Sequence, residues 1–139
     1  MGHYPICIGR IYWYDNCPPL DGVDRKRRPV IVVVCDDESG KGIDPVIAVG
    51  TTTDWTEHFD RLQMPNLKEN PTAATGLPEP CVALPKWVLS IPRSDLAHQN
   101  YLGDLTGVLL FRLLEAVEQR LDQPDWDQSE PDTPPKPSN

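Results

Sequence analysis

Four consecutive cationic residues, at positions 25–28, are the feature of this sequence best suited to binding another molecule. Adjacent positive charges repel one another, and the packing of a small β domain does not require them. The chain as a whole has a formal net charge of −8, so a basic composition does not explain the cluster. The pattern therefore predicts contact with an anion, and a solvated surface loop is the plainer interpretation.

A run of three threonines, residues 51–53, directly follows an apolar segment at residues 45–49. Side chains at such strand ends often meet a ligand. A threonine hydroxyl can donate a hydrogen bond, and its branched stem restricts the rotamers, so little entropy is lost on binding. His58 follows six residues after Thr52 and titrates near neutral pH, although a surface or half-buried histidine is the commoner case. The threonines themselves could simply be β-forming residues.

The cysteine pattern does not favour a metal centre. Cys7, Cys17, Cys35 and Cys81 are separated by 10, 18 and 46 residues, and none forms a C-x-x-C pair. Cys7 and Cys35 lie in apolar segments and are predicted to be small buried side chains. We therefore predict no metal site and, in a reducing compartment, no disulfide.

Composition divides the chain into a single domain over residues 1–121 and a tail over residues 122–139. The tail contains five acids, one base, five prolines and no aliphatic residue. Such a segment cannot bury enough apolar area to offset its ordering entropy, so we predict that it is disordered, with Trp126 as its only anchor.

No run approaches the ~20 apolar residues of a membrane span, and the first residues lack a signal-peptide pattern. We expect a soluble cytoplasmic protein that does not contact a membrane.

The domain is predicted to be mainly β. Short segments rich in β-branched and aromatic residues alternate with turns, which favours a small barrel or two packed sheets. The strand candidates are residues 7–14, 30–35, 45–49, about 59–62, 81–84 and 86–91.

A single convincing helix is predicted near the C-terminal end of the domain, over about residues 104–121. Asp104 is a plausible N-cap, and Pro124 prevents continuation. Apolar residues recur at three- and four-residue spacing and define one buried face: Leu105, Val108, Leu109, Leu113, Ala116, Val117 and Leu121.

Three segments, in order, resemble the MazF/PemK family of toxins from type II toxin–antitoxin systems. Residues 9–33, GRIYWYDNCPPLDGVDRKRRPVIVV, resemble the family's first strand, its mobile loop and the Arg-Pro before a β-branched strand. Residues 46–53, VIAVGTTT, resemble the next strand, which ends in a threonine pair. Residues 76–91, GLPEPCVALPKWVLSI, resemble a later segment before the closing helix. The resemblance covers about residues 8–121.

The resemblance implies an SH3-like or CcdB-like barrel of short antiparallel strands with a C-terminal helix, usually assembled as a homodimer. It implies a metal-independent endoribonuclease that cleaves single-stranded RNA, uses no cofactor and is held inactive by a cognate antitoxin. The family's catalytic arginine and threonine fall on Arg28 and Thr52. The family's Gly-x-Glu-Gln-x-Gly loop motif is missing, because residues 22–27 are Gly-Val-Asp-Arg-Lys-Arg and only Asp24 keeps the acidic character.

Metal-free RNA cleavage needs a base for the 2′-hydroxyl, a group that stabilises charge at phosphorus and an acid for the 5′-oxygen. The planar guanidinium of Arg28 suits the second task, and the hydroxyl of Thr52 adds a donor. An arginine pKa above ~12 makes a poor base, which leaves Asp24 and His58 as acid–base candidates. The neighbouring residues are the expected RNA contacts: Arg25, Lys26, Arg27, Thr51, Thr53 and Trp55.

A second hypothesis is a non-catalytic member of the same fold that acts by binding protein, as a gyrase-type poison or an interaction module. The acidic balance, the missing loop motif and the acidic tail favour it. Trp13, Trp55 and Trp87 also have a plainer interpretation as core residues, although Trp55 lies just beyond the threonines.

Overall fold

A computed structural model of the chain describes residues 6–19, 25–35, 43–53 and 61–121. Two single 3₁₀ turns, Arg93–Asp95 and His98–Asn100, connect the last two strands. The strands are β1 (Arg10–Cys17), β2 (Lys26–Val34), β3 (Val46–Thr52), β4 (Leu62–Gln63), β5 (Val82–Ile91) and β6 (Tyr101–Asp104), and the helix is α1 (Gly107–Leu121).

The six strands form one antiparallel sheet in the order β4-β5-β3-β2-β1-β6. The sheet curls into a half-barrel, and α1 packs against it, chiefly on β5. This arrangement confirms the predicted small β barrel with a C-terminal helix and differs from the alternative of two packed sheets. In the part of the chain that the structure describes, no helix is long and apolar enough to cross a membrane.

Both faces of the sheet are covered by apolar side chains, which explains the uninterrupted apolar sequence of β2. Val30 and Val32 point to one face, where they pack in a cluster with Trp87. Ile31 and Val33 point to the other face and join a second cluster with Leu113 of α1. The alternation along β2 therefore separates a helix-covered face from the face on which Arg28 lies.

The connection from β4 to β5 closes the open side of the half-barrel against β6. The amide of Asp104 donates to the carbonyl oxygen of Ala74 at 2.9 Å. A Cβ at Gly76 would lie 2.1 Å from the carbonyl oxygen of Leu102, and one at Gly103 would lie 2.2 Å from that of Ala74. The two backbones approach this closely because neither glycine has a side chain.

Several predicted element boundaries differ in the structure, and β3 continues to Thr52 instead of ending at residue 49. Residues 81–84 and 86–91 belong to one strand, β5, which passes through Pro85. Val49 pairs with Val88 and Thr51 pairs with Ala83, so β5 advances five residues while β3 advances two. Pro85 lies in this irregular stretch, where the regular ladder is interrupted.

The helix begins at Gly107 rather than near residue 104, because residues 101–104 form β6 and pair with β1. Asp104 accepts a hydrogen bond from the Tyr101 hydroxyl at 2.7 Å. The prediction of Asp104 as a helix cap was therefore wrong.

The first strand is shifted by three residues from the prediction, and the second is longer than predicted. β1 continues to Cys17 and β2 begins at Lys26, with Tyr14 paired to Arg28 and Cys17 paired to Lys26. Three of the four adjacent cations thus lie in a strand rather than in a loop.

Cys35 is buried as predicted, whereas Cys7 is exposed. The predicted tail, with Trp126, lies outside the described residues.

Candidate active site

An open groove of about 520 Å³ lies where β2 begins and β3 ends, beside the segment that leads into β5. Its walls combine cationic, hydroxyl-bearing and aromatic side chains, a composition suited to a ligand with phosphates and rings. The lining residues are Trp13, Pro19, Lys26, Arg27, Arg28, Pro29, Thr51, Thr52, Thr53, Leu77, Pro78, Glu79, Cys81, Leu84 and Trp87.

The register of β2 and β3 brings Arg28 and Thr52 together. Val30 pairs with Gly50, and Ile31 pairs with Val49. Arg28 and Thr52 each lie two residues beyond the Val30–Gly50 pair in their own strand, so strand alternation directs both side chains to the same face of the sheet. Arg28 Nη1 also donates to the carbonyl oxygen of Thr51 at 3.5 Å. Both predicted catalytic residues therefore line one solvent-open groove.

Trp87 supports the guanidinium of Arg28. The Arg28 Cζ lies 5.3 Å from the centroid of the Trp87 ring, within the range of a cation–π interaction. Trp87 is 5% exposed, so its interpretation as a core residue is correct. The ring lies directly against Gly50, where an added Cβ would be 2.6 Å from a ring carbon. A half-buried Arg28 on a buried indole has fewer accessible orientations than a surface arginine.

Arg27 lies on a second aromatic residue of the groove. Its Cζ is 4.6 Å from the ring of Trp13, and its Nε donates to the Asp15 carboxylate at 2.7 Å. Arg27 Nη2 also donates to Asn100 Oδ1 at 3.3 Å. These contacts hold Arg27 in place and partly neutralise it, so it supplies less free positive charge than its residue type suggests.

The remaining two cations are placed differently. Lys26 is exposed and lines the groove. Arg25 donates to the carbonyl oxygen of Asn16 at 3.0 Å and is not among the groove residues. The expected cluster of four thus consists of three groove residues in β2 and one residue, Arg25, that precedes the strand and lies outside the groove.

The three threonines also differ. Thr51 is 1% exposed, and its hydroxyl donates to the carbonyl oxygen of Pro29 at 2.8 Å. This bond ties the end of β3 to β2 and commits the hydroxyl of Thr51 to the backbone. Thr52 is half-buried and Thr53 is exposed, so these two present side chains toward solvent in the groove.

Two ionisable groove residues, Glu79 and Cys81, were not predicted from the sequence to belong to the site. Glu79 is the one carboxylate among the groove residues in the described ranges, and it contacts Lys68 at 3.5 Å. Cys81 is 4% exposed, and burial raises the pKa of its thiol to about 11. The prolines on both sides of Glu79 were the available signal, because they present a charged residue on a stiff turn.

Asp24, His58 and Trp55 lie outside the described residues, so their roles stay predictions. In the described ranges, no group of three or more histidines, cysteines, aspartates or glutamates is arranged to hold a metal ion.

Cys81 should make the protein less stable at alkaline pH. Its thiol has a pKa near 9.0 when unperturbed and about 11 in the fold, so the unfolded chain loses its proton first as the pH rises. The buried neutral thiol contributes fully to the free energy of unfolding below pH 9. This contribution is lost between pH 9 and 11, and the loss is at most about 3 kcal/mol.

Urea denaturation at pH 7, 9 and 10.5 measures this effect against a Cys81→Ala variant. The free energy of unfolding should fall more steeply with pH for the unaltered protein. The variant isolates Cys81 from other groups whose pKa is also raised, namely Tyr12, Tyr14, Cys17 and Tyr101. Parallel pH profiles would contradict the prediction.

Comparison with known proteins gives a consistent result. No protein-family model matches the chain. The chain is 27% identical over 117 residues to "Endoribonuclease MazF2" of Mycobacterium bovis and to "Endoribonuclease MazF6" of two strains of Mycobacterium tuberculosis. Each alignment covers 84% of this chain and 97% of the relative. The similarity therefore extends over nearly the whole length of these relatives and supports the resemblance to MazF-like toxins.

Proposed function

We propose that the chain is an endoribonuclease that cleaves single-stranded RNA, with Arg28 at the scissile phosphate and Thr52 as a second donor. One observation supports this proposal above others. Arg28, which contacts Trp87, lines the same open groove as Thr52. The similarity to proteins named MazF endoribonucleases supports the same activity.

The proposed reaction uses the substrate's own 2′-hydroxyl as nucleophile. The 2′-oxygen bonds to phosphorus while the bond from phosphorus to the 5′-oxygen breaks, which leaves a 2′,3′-cyclic phosphate and a 5′-hydroxyl. A base accepts the 2′ proton and an acid supplies a proton to the 5′-oxygen. Asp24 and His58 are the candidates for these two transfers. No step requires a metal or cofactor, so we propose a metal-independent reaction.

Arg28 is suited to stabilise the charge that develops at phosphorus. Its planar fork can donate two parallel hydrogen bonds to phosphate oxygens. Donors held in place before the reaction stabilise the transition state without reorganising during it. The indole of Trp87 and the carbonyl of Thr51 restrain the guanidinium in this way. Thr52 adds a further hydrogen bond from across the strand pair.

The other groove residues would contact flanking nucleotides. Lys26 and Arg27 supply positive charge for the backbone, and Thr53 supplies a hydroxyl. Trp55 is a further proposed contact, whereas Arg25 is not among the groove residues and is assigned no contact in the proposal. Thr51 is better assigned to the end of β3, because its hydroxyl is already bonded to Pro29. Single-stranded RNA is the expected substrate because unpaired bases can enter a groove edge-on or stack on its aromatic rings.

The proposal also includes a homodimer and a cognate antitoxin that blocks the groove, in the cytoplasm. These parts rest on the similarity to MazF proteins rather than on the geometry of the groove.

The proposal is tested by incubating purified protein with a labelled single-stranded RNA pool, with and without EDTA. We expect cleavage at equal rates in both samples, and fragments that mass spectrometry identifies as cyclic phosphates. Double-stranded RNA of the same sequences serves as the control and should be cleaved much more slowly. RNA that stays intact, or cleavage abolished by EDTA, would overturn the proposal.

A protein-binding function is the alternative if RNA stays intact. The formal net charge of −8 and the carboxylate of Glu79 in the groove oppose a polyanion as long as RNA, whereas Lys26 and Arg28 suit a short acidic segment of a protein partner. In that case Arg28→Ala should weaken a complex by a few kcal/mol at most, without any change in an RNA assay.

A further inference from the structure

Glu79 places a negative charge in a groove that is proposed to bind phosphates. An ionised carboxylate repels an RNA backbone, and Glu79 is the sole acid in the described lining of this groove. A polyanion-binding surface would be better served by almost any neutral residue. The carboxylate is therefore more readily explained by a part of the substrate that donates hydrogen bonds.

The chain presents Glu79 on a stiff and well-anchored turn. Pro78 and Pro80 flank it and restrict the backbone on both sides. Before the turn, Leu77 is fully buried and its carbonyl accepts from the amide of Leu67 at 2.7 Å. After the turn, the carbonyl of Cys81 accepts from the amide of Met64 at 3.1 Å. These backbone contacts fix the position from which the Glu79 side chain extends, which limits the ligand positions it can reach and so favours discrimination between ligands.

Glu79 does not form an ion pair with Arg28, the residue proposed to contact the scissile phosphate. Its ion-pair partner within the described ranges is Lys68, at 3.5 Å, rather than Arg28. Both members of that pair are largely exposed, so the pair is weak and its carboxylate can exchange Lys68 for another donor. The carboxylate can therefore bind a substrate nucleotide without breaking a contact to Arg28.

We infer that Glu79 determines base specificity by accepting two hydrogen bonds from the Watson–Crick edge of a guanine. An ionised carboxylate has two acceptor oxygens and no donor. Guanine is the RNA base whose Watson–Crick edge offers two adjacent donors, the ring N1–H and the exocyclic amine, and that edge is free in single strands. The inference rests on the proposed RNA-binding function of the groove, and it names a recognition that the function alone does not require.

The test measures binding to RNA that cannot be cleaved, so it does not depend on catalysis. A randomised library of 2′-O-methyl oligonucleotides is bound to the protein, and the bound fraction is sequenced. We expect guanine to be enriched about tenfold at one position, the discrimination expected of a bidentate contact. In Glu79→Gln the side-chain amide offers one acceptor and one donor, so guanine enrichment at that position should fall below about threefold. Base preferences at the other positions of the library should not change.

Two further measurements make the test specific. Inosine in place of that guanine removes the exocyclic amine and should weaken binding to the unaltered protein several-fold but leave Glu79→Gln unaffected. Glu118→Gln on α1, an exposed glutamate outside the groove, is the matched control and should retain the enrichment. A library without guanine enrichment, or enrichment that persists in Glu79→Gln, would overturn the inference.

Parallel cleavage assays separate this inference from the proposed function. Guanine enrichment without any RNA cleavage would support recognition by Glu79 and overturn the nuclease. Loss of all cleavage in Glu79→Gln with unchanged base preference would identify Glu79 as a proton-transfer residue and overturn the inference.

Discussion

Replacing Arg28 with alanine is expected to lower kcat for RNA cleavage about 10²–10³-fold, the usual loss when one preorganised donor to a transition state is removed. The loss should fall on kcat more than on KM, because Lys26 and Arg27 still attract the RNA backbone. Single-turnover cleavage of a labelled oligonucleotide at saturating enzyme measures the chemical step directly. Circular dichroism and thermal melting would establish that the variant is folded.

Arg28→Lys is the sharper variant because it preserves the charge. A lysine cannot donate two parallel hydrogen bonds to one phosphate, so we expect most of the loss to persist. Arg25→Ala is the matched control, since Arg25 belongs to the same cationic run but is bonded to Asn16 outside the groove. Equal losses in Arg25→Ala and Arg28→Ala would show that the run acts only through its overall charge.

The juxtaposition of Arg28 and Thr52 could be predicted because it depends on strand succession. β2 and β3 are adjacent along the chain, both are strongly apolar, and antiparallel pairing brings the start of one beside the end of the other. The resemblance to a known family selected Arg28 and Thr52 from the four cations and three threonines. Strand order therefore predicted that the two segments meet, and the resemblance supplied the choice of residues.

The support beneath Arg28 could not be predicted, because it depends on an irregularity in β5. The sequence indicated that Trp87 is buried but not which strand it covers. Val49 and Thr51, on either side of Gly50, pair with Val88 and Ala83 of β5. The β5 residues between these two partners, Trp87 among them, have no matching residues in β3, and the Trp87 ring lies on Gly50. Such register shifts arise from the packing of the whole sheet, and no local pattern in β3 or β5 specifies them.

β6 was missed for a related reason. Residues 101–104 are too few to show a strand periodicity, and Asp104 suggests a helix cap when considered alone. The segment is extended because Gly103 and Gly76 allow two backbones to come close and because β1 has an open edge. These are contacts between residues distant in sequence, which propensity does not encode.

Gly50→Ala is expected to reduce both stability and cleavage, although the substitution adds one methyl group. Gly50 has no left-handed backbone requirement, so the effect is steric and arises from the Trp87 ring 2.6 Å from the added carbon. Displacing a buried indole in a packed cluster should lower the free energy of unfolding by about 1–3 kcal/mol. Because the guanidinium of Arg28 lies on this ring, we expect cleavage to fall at least about tenfold.

A double-mutant cycle with Trp87→Phe tests that mechanism. A smaller ring leaves room for the added methyl group, so the combined variant should be more stable than the sum of the two single losses predicts. Urea denaturation of the unaltered protein, the two single variants and the double variant gives the free energies of unfolding. Single-turnover cleavage gives the rates for the same four proteins. If the two losses simply add, the methyl group does not act through the indole. The position of Arg28 would then have to depend on the carbonyl of Thr51, which Gly50→Ala leaves in place.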